Sequence, residues 1–510
     1  MASKAKKPRE AKLWEALIPV VGMIALLMYT VLPYFEIEQS VHIPIVFGTF
    51  IAAIIAITRL GYSWKDIEEG IISSISSTMQ AILILAIIGM IIGTWILGGI
   101  VPTLIFYGLQ ILNPSIFLVA TCLLCAVVSI STGSSWTTAG TIGIALMGVA
   151  AGLGIPAPMA AGAIISGAYF GDKMSPLSDT TNLAPAMAGA NLFDHIKHMV
   201  YTSGTSLVIA LIGYAILGFR FAGKSLDSSK IDAITDLMSQ TFTINPLLLL
   251  VPVVVIVLVA KKVPAIPGLF IGVILGGIAA IATQGASFAD VMQAMQNGVV
   301  SETGNVLLDD LLTRGGLQSM MWTISLILAA LSFGGVLDKT GMLETLASRV
   351  LKYAKSTGSL VTATILTSIF ANVLAGDQYL SIVLPGKMYK DEFHKRGLAP
   401  RNLSRCLEDG GTLTSPLVPW NTCGAFMSTS LGIATVAYIP YAFLNLVNPL
   451  VSIFFGFTGI TMLKLEDDPS APEYTGKKKS YKKILVEIST RIFLYDFFVP
   501  FIYCGKYLIP

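Results

Sequence analysis

The sequence predicts an all-α polytopic membrane protein with two inverted structural repeats, broken helices and re-entrant hairpins, and roughly 10–12 spans of the bilayer. Three observations indicate this fold class: few charged residues, long stretches without any charge, and a weak internal repeat. Of the 510 residues, 54% are hydrophobic and 12% are charged, and the mean hydropathy is +0.75. Soluble domains carry about 25% charged residues, so lipid rather than water surrounds most of this chain.

The charge-free stretches are too long to be single spans. Neither Ile71–Gly171 nor Gly410–Leu463 contains an Asp, Glu, Lys or Arg residue. One helix crosses a bilayer with about 20 residues, so each stretch must fold back on itself. Polar pieces also interrupt the apolar segments, and such backbone persists at membrane depth only where protein or a water-filled cavity covers it. The main pieces are Gly133–Thr138, Met174–Ala190, Gln378–Gly386 and Gly410–Gly432.

A weak repeat relates the two halves of the chain. Three motifs recur in the same order: Ile43–Gly48 with Ile266–Gly272, Ile67–Ser73 with Met295–Ser301, and Trp95–Gly99 with Ser332–Gly335. Basic residues follow the first copy of the first motif but precede its second copy, which indicates opposite orientations in the membrane. Inverted repeats with broken helices are typical of secondary transporters, whose sites lie near the midplane. Chance similarity among Gly-rich helices is the alternative.

The repeat and the basic residues together predict the topology. Basic clusters before the first helix, in Lys387–Arg405 and in Lys477–Lys483 place these regions, including the N-terminus, in the cytoplasm. The last region lies on the anionic membrane surface or forms a disordered basic tail. The predicted parts are 1–42 (cytoplasmic tail and first transmembrane helix), 43–219 (first repeat), 220–263 (polar linker and connecting helix), 264–463 (second repeat) and 464–510 (basic cytoplasmic or interfacial tail).

Net charge and cysteine usage argue against several other classes of protein. A net charge of +3 gives no indication of a nucleic-acid partner, so the lipid bilayer is the expected surrounding. Five cysteines scattered through apolar segments form no disulfide framework. Cys122 and Cys125 have the spacing of a redox or zinc motif but lack a second pair of ligands. We interpret them as small packing residues on a buried helix.

Acidic residues within apolar segments are the strongest functional candidates. A charge at mid-bilayer costs about 3 kcal/mol on insertion scales, so such residues are retained for a function. Asp172, Asp179, Asp377 and Asp409 are the candidates, and Asp377 has no cation near it in sequence.

Structural roles are the alternatives for some of these acids. Asp172 could pair with the adjacent Lys173, and Asp179 could cap a helix. Glu408 is expected in solvent beside the basic loop, and the same position in solvent is the alternative for Asp409. His195 and His198 are expected at the membrane interface, although a pH-sensing role is chemically open.

The surroundings of two aspartates are similar. Asp172 precedes Ser-Pro and then Asn, as does Asp409, and two further polar pieces, Ser131–Thr138 and Ala371–Gln378, occupy matching places in the two halves. We predict that four unwound pieces face one another and bind Na⁺ at Asp172, Asp377 and Asp409. The candidate substrate- and ion-binding residues are Asp172, Ser175, Asp179, Asn182, Asp377, Gln378, Asp409, Ser415, Asn421, Ser134, Thr137 and Asn372.

The expected chemistry needs no resident cofactor. Na⁺ is a hard cation that prefers oxygen ligands, as do Ca²⁺ and Mg²⁺. A buried carboxylate that binds Na⁺ can bind a proton instead. Competition between Na⁺ and H⁺ for one aspartate is sufficient for exchange, provided that only loaded states cross the membrane.

Three sequence blocks resemble the NhaC family of sodium/proton antiporters: Gly171–Pro185, Leu374–Gly386 and Glu408–Thr422. The resemblance extends from about Leu13 to Leu463 and does not cover the tail after Glu466. It implies Na⁺/H⁺ exchange, an inner-membrane location, homodimers, and a fold of inverted repeats with paired hairpins. The candidate residues Asp172, Ser175, Asp179, Asn182, Asp377, Asp409, Ser415 and Asn421 occupy family-like positions.

Other functions are the alternatives. Relatives with similar blocks carry organic acids such as malate and lactate, or amino acids. A carboxylate cargo would need a cation or a helix N-terminus at the site, and Lys173, the only Lys or Arg in Gly171–Pro185, leaves this option open. An intramembrane aspartyl protease needs two aspartates that share a proton, but Tyr169–Asp172 lacks the first glycine of the GxGD motif. A passive channel needs a ring of repeated ligands, whereas this sequence offers two dissimilar half-sites. We therefore expect a transporter rather than an enzyme.

Overall fold

The computed structural model describes residues 8–31, 41–221, 228–305, 309, 312–352 and 354–468. Most of the predicted basic tail 464–510 lies outside these residues. The described part is helical, with two isolated β-bridges and no strand, which confirms the predicted fold class. The division into five parts and the inverted relation of the two halves stay predictions.

The first half of the chain contains ten α-helices in its described part. They are α1 (Leu13–Val31), α2 (His42–Ile55), α3 (Trp64–Leu97), α4 (Ile100–Ile111), α5 (Pro114–Thr132), α6 (Ser135–Thr138), α7 (Ile144–Gly152), α8 (Ala157–Met174), α9 (Asp179–Ala188) and α10 (Leu192–Phe219). π-helical turns at Ala56–Leu60 and Ala139–Gly143 extend α2 and separate α6 from α7.

The second half is interrupted in a similar manner. Its described α-helices are α11 (Ser228–Thr241), α12 (Leu250–Ala260), α13 (Ala265–Gln284), α14 (Phe288–Asn297), α15 (Leu317–Lys339), α16 (Met342–Leu351), α17 (Thr357–Ala375), α18 (Gln378–Lys395), α19 (Pro400–Leu407), α20 (Thr422–Leu431), α21 (Thr435–Tyr438) and α22 (Phe443–Thr458). A π-helical turn, Glu408–Thr412, continues α19. Short 3₁₀ turns occur at Pro246–Leu249, Ser415–Leu417, Ile439–Tyr441 and Leu465–Asp467.

Seven of the described helices are long and apolar enough to cross a membrane, or up to nine segments if each bent pair forms one span. The bent pairs are Ile234–Thr241 with Pro246–Ala260, at 92°, and Thr422–Leu431 with Thr435–Tyr441, at 86°. The sequence predicted roughly 10–12 spans. Three further helices are apolar but shorter, namely Leu13–Tyr29, Ile100–Ile111 and Phe443–Thr458.

Two long helices end at glycines just before polar pieces of chain. α5 ends at Gly133 (φ 67°) and α17 ends at Gly376 (φ 64°), both in the left-handed region. Glycine adopts this conformation without steric cost, which is why it commonly terminates helices. A Cβ at Gly133 would also lie 2.6 Å from the Leu177 Cβ. The glycines therefore stop both helices where the polar residues begin.

α5 and α8 pack closely along a strip of small residues. A Cβ at Gly167 would lie 2.1 Å from the Cys122 carbonyl oxygen, and one at Gly171 would lie 2.3 Å from the Ala126 carbonyl oxygen. Cys122 and Cys125 are buried and free, so their interpretation as packing residues is confirmed. Small residues allow this close approach of helix backbones in membrane proteins. The packing holds α8 against α5, and so fixes the position of the adjacent residues Asp172 and Lys173 near the end of α8.

Gly167→Ala should therefore destabilise the protein, because the added methyl group meets backbone that cannot move away. Overpacking of this kind costs about 1–3 kcal/mol, measurable as a lower thermal unfolding temperature of the purified protein in detergent. Gly204→Ala is the matched control, since a Cβ there has only one contact, at 3.8 Å to Val200. Equal unfolding temperatures for the two variants would show that the α5–α8 contact is not tight.

Candidate ion-binding site

A polar cavity lies where the interrupted helices meet. It is lined by α3, α8 and the N-terminal ends of α6, α9, α18 and α20, and the empty space there, including the part open to solvent, is about 560 Å³. Its described lining includes two carboxylates and no Lys, Arg or His. These lining residues are Thr78, Gln80, Ala81, Ile84, Ser134, Ser135, Trp136, Asp172, Asp179, Thr180, Gln378, Tyr379, Thr422 and Cys423.

Asp172, near the C-terminal end of α8, is the buried carboxylate of this cavity and is 5% exposed. Its Oδ2 accepts hydrogen bonds from the Ser135 hydroxyl at 2.7 Å and from the Ser135 backbone N–H at 3.2 Å. Its Oδ1 is buried and has no hydrogen-bond partner among the described residues. An unpaired buried polar atom is costly, so this oxygen is suited to bind a cation or a proton.

Asp179 faces the same cavity from α9. Ser178, not Asp179, caps α9, because the Ser178 hydroxyl accepts the Thr181 N–H; the N-cap alternative for Asp179 is therefore wrong. The Tyr379 hydroxyl at the start of α18 donates to Asp179 Oδ2. This hydrogen bond links α9 to α18 across the cavity, and Asp179 is exposed.

Asp377 positions the first turn of α18 beside the cavity. Its Oδ1 accepts the Leu380 N–H at 2.9 Å, which caps α18, and its Oδ2 accepts the Thr78 hydroxyl of α3 at 3.0 Å. Gln378 follows it and faces the cavity, where its Oε1 accepts the Cys423 thiol at 2.6 Å. Asp377 thus has partners for both oxygens, in contrast to Asp172.

Four helices begin at the cavity, each with a capping side chain. Ser134, Ser178, Asp377 and Asn421 accept backbone N–H groups at the starts of α6, α9, α18 and α20. The N-terminus of a helix carries partial positive charge. Their convergence favours negative charge within the cavity, which the carboxylates supply.

Asp409 lies outside the described cavity lining, in a buried ion pair with Lys173. Both side chains are fully buried. The Asp409 Oδ1 that accepts from Lys173 also accepts from the Thr202 hydroxyl at 3.2 Å and from Asn448 Nδ2 at 2.6 Å. Lys173 therefore pairs with Asp409 and not with the adjacent Asp172, whose side chain lines the cavity.

The predicted sodium ligands do not form a single cluster. Within the described parts of the chain, no three His, Cys, Asp or Glu side chains come together as a metal-binding group. Asp172 lines the cavity, Asp377 anchors α18 beside it, and Asp409 pairs with Lys173.

Most of the other candidate residues hold the broken pieces together. Asn372 Nδ2 donates to the Gly411 carbonyl at 2.7 Å, and Asn421 Nδ2 donates to Asn372 Oδ1 at 3.0 Å. The side chains of Ser175, Asn182 and Ser415 donate to the carbonyls of Ile130, Pro176 and Thr412, at 2.8, 2.9 and 2.7 Å. Ser134 lines the cavity, whereas the buried Thr137 hydroxyl of α6 has no partner among the described residues.

Three residues expected in solvent or at the interface are buried. Glu408 is 0% exposed, because it follows α19, whose last residues are themselves buried, and lies in the π-helical turn. His195 and His198 are also buried; His195 Nδ1 contacts the Ser404 hydroxyl at 2.7 Å, and His198 Nε2 contacts Asn402 Oδ1 at 3.2 Å. The expectation of solvent around Glu408 was wrong, because the helices packed around it exclude solvent from a residue flanked by basic sequence. The place of the two histidines relative to the membrane interface stays a prediction.

Sequence reasoning missed several lining residues. Thr78 lies in the charge-free run of α3, where only its hydroxyl distinguishes it from its neighbours. Tyr379 follows Asp377 by two residues and Trp136 stands beside Ser135. Their positions next to polar pieces were a usable signal. Trp136 stacks on Phe426 with ring centroids 4.1 Å apart.

Lys173→Met should destabilise the protein strongly. The change leaves Asp409 buried without its counter-ion, and breaking a buried pair in this way costs about 3–5 kcal/mol. Thermal unfolding in detergent measures the loss. The double variant Lys173→Met/Asp409→Asn should recover most of it, because no uncompensated charge remains. If the double variant were as unstable as the single one, charge compensation would not be the reason for the pairing.

Comparison with known proteins places these features in a family. The model of the Na⁺/H⁺ antiporter family matches residues 167–460, which contain Asp172, Asp377 and Asp409. The chain is 44% identical to the Na⁺/H⁺ antiporter NhaC of Alkalihalophilus pseudofirmus, over 84% of this chain and 92% of that protein.

Relatives with other named cargo are similar over comparable lengths. The chain is 40% identical to the malate-2H⁺/Na⁺-lactate antiporter of Bacillus subtilis, over 89% of this chain and 96% of that protein. It is 38% identical to the arginine/ornithine antiporter ArcD of Halobacterium salinarum, over 90% and 94%. With a family model that covers more than half of its residues and relatives that align over most of its length, this chain belongs to the Na⁺/H⁺ antiporter family.

Proposed function

We propose that the protein exchanges Na⁺ for H⁺ across the cytoplasmic (inner) membrane by alternating access, and that the two ions compete for Asp172. The observation that carries the proposal is the Asp172 Oδ1 atom, which is buried at the cavity without a hydrogen-bond partner among the described residues. This oxygen accepts either a proton or a cation, and occupancy by one excludes the other.

The other ligands in the proposed site are oxygen atoms from the same cavity. The second Asp172 oxygen is held by Ser135, and Ser134, Asp179 and Gln378 supply further hydroxyl, carboxylate and amide groups. A hard cation prefers such oxygen donors. Asp377 contributes by fixing the start of α18, so its proposed role in Na⁺ binding is indirect.

A cationic cargo fits the charge of the cavity better than an anionic one. The described lining contains Asp172 and Asp179 and no basic side chain. Lys173, the residue that left an organic anion open, is fully buried in its ion pair with Asp409. The four helix N-termini at the cavity favour negative charge, but Asp172 and Asp179 already supply it. A malate or lactate ion would therefore meet two carboxylates with no basic side chain in the described lining to offset them.

The arrangement of the aspartates also disfavours the protease alternative. An aspartyl protease needs two carboxyl groups that share a proton. Asp172, Asp377 and Asp409 accept hydrogen bonds from Ser135, Thr78 and Lys173 respectively.

The proposed N-terminus in the cytoplasm and the homodimer rest on the sequence and on the family resemblance.

Asp172→Asn should abolish most Na⁺-driven proton flux. The amide neither binds a proton near neutral pH nor supplies a charged ligand. A contact with a charged group contributes about 1.5–3 kcal/mol, so its loss lowers the affinity for Na⁺ roughly tenfold or more. The flux is measured in liposomes with a pH-sensitive dye after a Na⁺ gradient is imposed. Asp391→Asn is the matched control, since Asp391 is exposed on α18. Wild-type flux in Asp172→Asn would sink the proposal.

Cargo is tested with a panel of ions in the same liposomes. Na⁺/H⁺ exchange should proceed without any organic anion present, and malate or lactate should neither be taken up nor be required. An amino-acid panel, including arginine and ornithine, extends the test to the other named relatives. Uptake of malate, lactate or an amino acid, with no Na⁺/H⁺ exchange in its absence, would assign the cavity to organic cargo instead.

A further inference from the structure

A hydrogen bond between Tyr379 and Asp179 joins two of the helices that begin at the cavity. Asp179 is the first residue of α9, and Tyr379 lies in the first turn of α18. Both side chains line the cavity, where the Tyr379 hydroxyl donates to Asp179 Oδ2. Asp179 is exposed and Tyr379 is half-buried, whereas Asp172 is buried. The contact therefore lies at the exposed edge of the cavity, and Asp172 lies deeper.

Tyr379 is itself held firmly at the start of α18. The preceding residue, Asp377, accepts the Leu380 N–H and the Thr78 hydroxyl of α3. About two turns further along both helices, α18 and α9 touch again, because a Cβ at Gly386 would lie 2.8 Å from the Met187 Cβ. The phenol is thus presented to Asp179 from a fixed backbone.

The Asp179 carboxylate is held by two donors. Its Oδ2 accepts from the Tyr379 hydroxyl, and its Oδ1 accepts the Thr180 N–H at 2.9 Å. The second donor belongs to the next residue in the chain, so Tyr379 is the partner that reaches this carboxylate from another helix. An exposed aspartate without that partner would turn freely into water.

The position of this carboxylate matters for Asp172. The charge of Asp179 acts on Asp172 inside the same cavity. A cation bound at Asp172 is therefore attracted by both carboxylates, and the attraction to Asp179 weakens as the distance grows. The hydroxyl that fixes Asp179 determines how much of this attraction the ion experiences.

We propose that Tyr379 is a positioning residue of the exchange site, which holds the Asp179 carboxylate beside the cavity and so raises the affinity for Na⁺ at Asp172. The inference rests on the proposed function, because it concerns binding of the exchanged ion. A mechanical tie between α9 and α18 is one other role for the contact, but the packing of Gly386 against Met187 already joins these helices. The phenol oxygen as a direct ion ligand is another, but a neutral hydroxyl attracts a cation less strongly than a carboxylate does.

Tyr379→Phe removes the hydroxyl and keeps the aromatic ring. The KM for Na⁺ in Na⁺-driven proton flux should rise roughly threefold to tenfold with the maximal rate unchanged, because the Asp179 charge moves away from the bound ion. Equilibrium binding of ²²Na⁺ to the purified full-length protein in detergent should show the same loss of affinity.

Tyr389→Phe is the matched control. It makes the same chemical change on the same helix, where the Tyr389 hydroxyl contacts the Thr367 hydroxyl at 2.7 Å, and Tyr389 is not among the described residues that line the cavity. Its KM for Na⁺ should equal that of the wild type. Thermal unfolding in detergent checks that each variant is folded.

Asp179→Asn separates the three roles of the contact. The amide oxygen still accepts the Tyr379 hydroxyl, so the tie between the helices remains while the charge is lost. The KM for Na⁺ should rise at least as much as in Tyr379→Phe. In the double variant the KM should equal that of Asp179→Asn, because Tyr379 acts through this carboxylate. If Tyr379→Phe does not fold, Asp179→Asn decides alone, and a wild-type KM in it contradicts the inference.

The outcomes also separate this inference from the proposed function. A wild-type KM in Tyr379→Phe, or effects that add in the double variant, would overturn the positioning role, while exchange that depends on Asp172 stands. Wild-type flux in Asp172→Asn, together with a raised KM in Tyr379→Phe that does not add to Asp179→Asn, would refute the ion site at Asp172 and retain Tyr379 and Asp179 as its replacement. Absence of Na⁺/H⁺ exchange in the wild type would refute both.

Discussion

The buried ion pair between Lys173 and Asp409 is the contact on which the arrangement of the site depends. It joins the C-terminal end of α8 to the π-helical turn in the second half of the chain, and Thr202 and Asn448 donate to the same Asp409 oxygen as Lys173. Because charges are expensive to bury, each partner requires the other in place. The pair therefore holds α8, the turn and α22 in one register, and it removes Lys173 from the cavity that its neighbour Asp172 faces.

Interruption of helices creates the cavity itself. α5 and α17 stop at glycines, and the helices that follow the breaks begin around one space with their caps and partial positive charge directed at it. Buried carboxylates become tolerable in such surroundings, because N–H dipoles and hydroxyl groups replace the water that the membrane excludes. The same surroundings make Asp172 available to small cations, since only one of its oxygens is used by Ser135.

The family contains relatives named for Na⁺/H⁺, malate/lactate and arginine/ornithine exchange at similar levels of identity to this chain. Overall similarity therefore does not separate these activities. The distribution of charge around the cavity is a more direct criterion, and here it is acidic, with the adjacent lysine neutralised elsewhere.

Sequence alone was sufficient for the all-helical membrane fold, the broken segments and the four polar pieces, because lipid forbids charge and unpaired backbone except where a function needs them. It also identified Asp172, Asp179 and Gln378, which the structure brings to one cavity. The partner of Lys173, the burial of Glu408, and the separation of Asp409 from Asp172 could not be read from it. These depend on which side chains meet across helices far apart in the chain. Adjacent residues on α8 point to different neighbours, and no local pattern records which neighbour each will meet.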